Sequence, residues 1–258
     1  MRKGSAKCIV FYDWEGEYSL KDWLAIAFKF FQLLGVLPDH VLLGSQPDKT
    51  KASSIEELEK KVSIGKSLPK VVELFLTIPG FKQLAFGWSV FASINSYQTK
   101  TMMFCFDKEL DGSCQDLLDE IIAKVTRTSA QVYGIVYERP FSKGPDMYAY
   151  GMSSGLGYSE EEMKEADSIG AWMNERIALN RHLKGHFRDI YSVNILSQNH
   201  VNSLIEGMTL ARWIEENKVG SLKPLSDKVY CWSVPQSQIE DARTAIKENS
   251  LLIVECCR

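Results

Sequence analysis

The run Gly185-His186-Phe187-Arg188-Asp189-Ile190-Tyr191-Ser192-Val193-Asn194-Ile195-Leu196-Ser197 gathers a histidine, an arginine, an aspartate, a tyrosine and an asparagine within a segment that otherwise reads as half-buried strand. Such residue types, brought together, could act as one catalytic cluster. Strand alternation argues against that. Phe187, Asp189, Tyr191, Val193 and Ile195 would share one face, while His186, Arg188, Ile190, Ser192, Asn194 and Leu196 would share the other. Asp189 then points away from His186 and Arg188. The structural reading is stronger: Arg188 or Asp189 pairs with a charge on a neighbouring element, Asn194 satisfies backbone groups, and Ser197 caps a helix.

Other chemistry-bearing patterns are weaker. Gly151-Met152-Ser153-Ser154-Gly155-Leu156-Gly157 precedes a helix and superficially suggests a phosphate cradle. Glu160, Glu161 and Glu162 in the first helical turn would repel an anion, and no P-loop lysine follows. His182 and His186 are interrupted by Gly185, and Cys256-Cys257 has no CxxC or HExxH partner spacing, so neither metal nor cofactor is expected. No GxSxG elbow occurs either. Among His40, His182, His186 and His200, only His186 and His200 flank a polar cluster, which makes them the choices for an enzymatic alternative.

Aromatic residues near carboxylates point to a binding surface instead. Trp14 lies within Asp13-Trp14-Glu15-Gly16-Glu17-Tyr18, and Tyr148, Tyr150 and Tyr158 decorate a glycine-rich segment. Exposed aromatics ringed by acids suit recognition of a basic protein partner. The candidate partner-binding residues are therefore Asp13, Trp14, Glu15, Glu17, Tyr148, Tyr150, Tyr158 and Arg188.

The elements that must position these residues read as follows. Strands are expected over 7–13, 39–44, 70–78, 84–95, 100–107, 131–138, 228–234 and 251–255. Within 84–95, Phe86, Trp88, Val90, Ala92 and Ile94 alternate with a smaller face that includes Ser89, Phe91 and Ser93. Ser19 caps a mostly buried helix that Gly35 ends, and Ser54-Ile55-Glu56-Glu57 and Ser159-Glu160-Glu161-Glu162 have capping-box form. Further helices are expected after Ser113, Ser197, Thr209 and Pro235. The order predicts an α+β fold, with a mixed or antiparallel sheet, ferredoxin-like βαβ and ββαβ elements, and helices packed on the sheet. Residues 1–138 and 159–258 form N- and C-terminal α+β halves, separate or continuous, joined by a Gly/Pro-rich loop over 139–158.

Composition bounds the function classes. The 258 residues carry 30 basic and 33 acidic side chains, a net charge of −3 that offers no general field for nucleic acid. The apolar run Trp23–Phe28 is too short for a membrane span, and Cys8–Tyr12 is too short for a secretory signal. The six cysteines lack framework spacing and are expected to stay reduced in a cytoplasm, with Cys8, Cys105 and Cys231 as small core residues.

The succession Phe187-Arg188-Asp189-Ile190-Tyr191, Asn194-Ile195-Leu196-Ser197, Leu210-Ala211-Arg212-Trp213-Ile214, Gly220-Ser221-Leu222 and Trp232-Ser233-Val234 resembles a pattern in a poorly characterised microbial protein family. That resemblance implies no established activity. In overall character the chain is similar to the α+β immunity proteins of bacterial toxin systems. What this likeness implies is a non-enzymatic protein-binding protein that neutralises a toxin by direct contact, its partner a basic toxin domain. The alternatives are an enzyme using His186, Arg188 and the 146–158 loop, or a structural component of an assembly.

Overall fold

Branched and aromatic residues dominate most of the strands, and a computed structural model shows how they pair. It describes residues 2–16, 18–45, 50–63, 69–78, 87–97, 99–110, 114–127, 132–153 and 159–253. The N-terminal half runs β1 (Ser5–Tyr12), α1 (Leu20–Leu33), β2 (His40–Gly44), β3 (Thr50–Ser53), α2 (Ile55–Ser63), β4 (Val71–Thr77), β5 (Trp88–Asn95), β6 (Thr101–Asp107), α3 (Cys114–Thr126) and β7 (Tyr133–Pro140). Then come α4 (Pro145–Tyr150), α5 (Glu160–Ala178), β8 (Val193–Ser197), α6 (Gln198–Val201), β9 (Leu204–Ile205), β10 (Met208–Thr209), α7 (Leu210–Asn217), β11 (Ser221–Pro224), β12 (Val229–Ser233) and α8 (Ile239–Glu248). Ten strands form one sheet in the order β11-β12-β8-β7-β1-β6-β5-β4-β2-β3, and β9 and β10 pair separately. Every neighbouring pair in the large sheet is antiparallel. The fold is α+β, as the sequence predicts, and the β7–β8 pairing carries the sheet across both halves.

Strand alternation sorts the core onto two faces. Ile9, Phe11, Phe104 and Phe106 pack with Trp23, Phe30 and Phe31 of α1, and with Leu117, Leu118 and Ile121 of α3. Tyr12, Met103, Tyr133 and Tyr137 face the opposite way, toward Ala149 of α4, Trp172 of α5, Trp213 of α7 and Ile246 of α8. Burying a side chain such as Phe30 or Phe31 fully contributes about 1.5–3 kcal/mol. Local caps fix where the helices start: the Ser19 hydroxyl accepts from Asp22 N–H, and Ser159 and Glu162 complete a capping box.

Several expectations need correction. Residues 185–197 are not one strand: only Val193–Ser197 joins the sheet, behind a single-turn 3-10 helix at Arg181–Lys184 and an isolated parallel bridge from Phe187 to Leu252. The two-face argument for His186, Arg188 and Asp189 therefore fails. The same bridge is what remains of the strand expected over 251–255, of which 254 and 255 lie outside the described residues. Segment 139–158 is not all loop, since it holds a 3-10 turn at Phe141–Lys143 followed by α4. The helix after Ser197 ends at Val201 and gives way to β9. β3 and β11, short and polar, carry too little apolar pattern to be foreseen.

Trp88 also changes face. Leu76 pairs with Val90 and Thr77 with Trp88, so Ser89 is an extra residue in β5. That bulge shifts the alternation by one and sends Trp88 to the side of Phe91, where their rings lie 5.7 Å apart. Finally, Cys8 and Cys105 stand opposite each other on β1 and β6 and are joined by a disulfide. The expectation that all six cysteines stay reduced is corrected for this pair, because strand register brings together two thiols separated by 97 positions in sequence. Alkylation of the denatured, unreduced protein followed by peptide mass analysis should leave Cys8 and Cys105 unmodified while labelling Cys231. Labelling of Cys8 before reduction would contradict the pairing.

Candidate functional site

Two helices, α4 and α5, build the site over the Tyr12 face of the sheet, and each is held there by a buried charge. Pro145 opens α4 with its fixed backbone angle, after Gly144 in the left-handed region. At the other end, the last carbonyls of so short a helix need donors. Tyr12 Oη donates to Ala149 O at 3.0 Å, and Arg188 Nη2 donates to Tyr148 O at 2.7 Å. Arg188 Nη1 donates to Tyr12 Oη at 2.9 Å, and its guanidinium lies 4.0 Å from the centre of the Tyr148 ring. Arg188 is 1% exposed and forms no ion pair among the described residues. Its charge is accommodated by a helix C-terminus and by aromatic faces.

Helix α5 is anchored by Asp13. This residue follows β1 with φ +46, which swings its carboxylate back under α5. Asp13 accepts from Arg176 Nε at 2.9 Å, from Arg176 Nη2 at 3.2 Å, from His182 Nε2 at 3.0 Å and from Lys100 N–H at 2.8 Å. Burial alone would raise its pKa, but the His182 and Arg176 hydrogen bonds and the Arg176 charge outweigh that and hold it at about 2. Arg176 further donates to Thr101 Oγ1 and to Lys100 O.

The two helices come close because of Gly151. With φ +81 it ends α4, and a Cβ there would fall 2.8 Å from Met173 Cβ. The close approach sets Met152 beside Met173 and leaves a cavity of about 320 Å³ between α4, α5 and the β4–β5 end of the sheet. Its polar lining includes Glu73, Asn95, Asp146, Tyr150 and Arg176, and Met152, Met173 and Ile177 form part of its apolar wall. Met152, Met173 and Ile177 are also 42%, 39% and 56% exposed, so the opening is rimmed with apolar side chains. Glu73 is the one charged residue of β4, Val-Val-Glu-Leu-Phe-Leu-Thr, and takes part in no hydrogen bond or ion pair among the described residues. Burial, with the Asp146 charge adding to it, raises the Glu73 pKa to about 7. Burial raises Asp146 to about 6, against partial relief from the backbone N–H groups of Asp146 and Met147. Asp146 Oδ1 is shut off from solvent without a hydrogen-bond partner.

The residues singled out from the sequence fall into three groups. Tyr150 lines the cavity, with its hydroxyl 3.1 Å from Ser93 Oγ. Asp13, Trp14, Tyr148 and Arg188 face inward: Trp14 is 3% exposed against Tyr18, and Tyr148 Oη meets Tyr191 Oη at 2.8 Å. The exposure expected of them is corrected, because distant counterions and rings cover them. Glu15 is exposed, while Glu17 and Tyr158 lie outside the described residues. Asp189 pairs with Arg243 of α8 at 2.6 Å, and Asn194 bonds both N–H and C=O of Tyr191, as the structural reading anticipates. His186 and Arg188 do not line the acidic cavity. His200 is a capping residue whose Nδ1 faces Ser197 Oγ at 2.9 Å, and burial lowers its pKa to about 3. Glu73 and Asp146 escaped notice in the sequence. A lone carboxylate in an apolar strand was the available signal for the first.

Fold and site together define an antiparallel α+β protein with an acidic, apolar-rimmed cavity between two helices and a sheet. No protein-family model matches the chain, and no curated protein does. Among solved structures, the Pseudomonas aeruginosa T6SS protein PA0821 is similar, with a TM-score of 0.52 and 10% identity over 97% of this chain and 73% of that one. At that identity the likeness shows the shared fold.

The two kinds of buried carboxylate make opposite predictions about pH. Asp13, depressed in the folded state from 3.8 to about 2, contributes stability that is present above pH ~4 and is lost as pH falls through 2. Glu73, raised from 4.5 to about 7, contributes stability below pH ~4.5 that is lost as pH rises through 7. Denaturant melts should show Asp13→Asn destabilised by about 3 kcal/mol at neutral pH, since a buried ion network loses its centre. Glu73→Gln should be more stable than wild type by roughly 1–3 kcal/mol at about pH 8 and close to it at about pH 4. Equal effects at both pH values would refute the assignment for Glu73.

Proposed function

We propose that this chain is a protein-binding protein of a toxin system, acting as an immunity protein that neutralises a basic toxin domain by direct binding through the α4–α5 face. The observation that carries the reading is the cavity itself: unpaired carboxylates within, exposed Met152, Met173 and Ile177 at the rim. Apolar rim and desolvated centre are the arrangement of a binding hot spot. Acidic groups at the centre favour a cationic partner and disfavour an anionic one. The T6SS name of the structural neighbour is in keeping with such a system. A cytoplasmic setting makes one demand, that Cys8 and Cys105 be reduced in the cell; a bonded pair in thiol-trapped cells would move the encounter to an oxidising compartment.

Co-expression tests the proposal. Proteins encoded beside this chain should include one that arrests growth alone and not in its company, and the two should co-elute as a stable complex. Met173→Asp with Ile177→Asp, both exposed and unneeded for the core, should weaken that complex at least about tenfold, the scale of a lost hot-spot contact. Full protection by this double variant would remove the α4–α5 face from the account, and absence of any toxic partner would remove the immunity role.

A further inference from the structure

We propose that the Glu73–Asp146 cavity is a receptor for one guanidinium group, the side chain of an arginine presented by the protein partner. This deepens the binding role assigned above and rests on it. Two carboxylates enclosed together, with no cation among the described residues paired to either, form a site that is complete only when a positive charge enters. Asp146 gives the sharpest sign: the residue lines the cavity, and its Oδ1 is buried without a hydrogen bond among the described residues. A carboxylate used for structure alone would be expected to have a donor there.

Charges already present do not fill the role. Arg176 borders the cavity, but its Nε, Nη1 and Nη2 donate to Asp13, Thr101 and Lys100 O. Lys70 lies outside, its Nζ 5.5 Å from the Tyr97 ring centre. The groups facing Glu73 and Asp146 are thus Tyr150 from α4, Arg176 from α5, Tyr97 from the β5–β6 connection and Tyr137 from β7.

Guanidinium fits better than ammonium for a physical reason. It is planar, weakly hydrated, and able to stack on rings while it donates to two carboxylates. The walls offer Phe91, Tyr97 and Tyr150, and Met152 and Met173 are placed to cover an aliphatic stem. A cavity of about 320 Å³ accommodates one such side chain. Entry of the cation favours both carboxylates ionised, so any proton held on the pair is released to solvent and binding strengthens with pH. The raised pKa values of Glu73, about 7, and Asp146, about 6, put that strengthening between mildly acid and neutral pH.

The test uses the full chain and two blocked amino acids, N-acetyl-arginine methylamide and N-acetyl-lysine methylamide, titrated by NMR. Free side chains lack the partner's remaining contacts, so the expected Kd for the arginine probe is about 1 mM at pH 8, near the weak end of the affinity scale. The lysine probe should bind at least fivefold more weakly, and lowering the pH to 5 should weaken the arginine probe at least tenfold. Glu73→Gln with Asp146→Asn preserves shape and removes buried charge, so this double variant folds and should show no saturable binding. Absence of arginine-probe binding by wild type, binding unchanged in the double variant, or equal affinity for the lysine probe would overturn the proposal. Probe binding tighter than about 1 µM would mean a free small cation and overturn the protein source. The two readings fail separately. A chain that neutralises its toxin equally well with or without the two carboxylates keeps its immunity role and loses the arginine receptor. A chain with no toxic partner loses the role, while the titration still decides the receptor.

Discussion

The geometry of the α4–α5 face depends on the bond between Asp13 and Arg176. Asp13 lies where β1 leaves the sheet, and Arg176 lies near the end of α5, and their side chains are 14% and 2% exposed. Removing one member of such a pair strands the other in a poorly solvated place, at a cost of about 3–5 kcal/mol. Lys100 and Thr101 add backbone and hydroxyl partners, so the node also ties β6 to the helix. With α5 fixed in this way, Gly151 can bring α4 against Met173, and the cavity follows from the space these helices leave over β4 and β5.

Buried charge is handled in two contrasting ways within this molecule. Arg188 has no carboxylate partner among the described residues, yet its hydrogen bonds reach Tyr12 and the Tyr148 carbonyl, and the Tyr148 and Trp172 ring centres lie 4.0 and 5.1 Å from its guanidinium carbon. That arrangement is satisfied as it stands, and it positions the helix that carries Asp146. Glu73 and Asp146 are the converse, carboxyl groups enclosed with neither a paired cation nor full hydrogen bonding among the described residues. A satisfied buried charge supports a fold, whereas an unsatisfied one destabilises it and is retained where a ligand completes it. The difference is what separates the Arg188 region, conspicuous in sequence, from the cavity that carries the functional reading.

Features set by near neighbours were legible in the chain. Ser19, Ser159 and Thr209 begin helices as their spacing indicates, because a cap is a local hydrogen bond between residues three apart. Most strands were legible from alternation, and so was the α+β class. Features set by distant neighbours were not. Asp13 and Trp14 look like an exposed acidic-aromatic loop until α5 supplies Arg176 to the one and the α1–α3 face covers the other. Trp88 follows a regular alternation that the Ser89 bulge then breaks, and Cys8 finds Cys105 only through register. Glu73 and Asp146 come from different elements, and no spacing rule links a strand residue to a helix residue on the far side of β5, β6 and β7.

Two carboxylates stand uncompensated among the described residues in the cavity between α4, α5 and the sheet. Carboxyl-carbon NMR titration of the free protein measures this directly. The Glu73 and Asp146 resonances should titrate as a coupled pair, with apparent pKa values near 7 and 6. Titration of both near the ordinary carboxylate value of about 4 would contradict it.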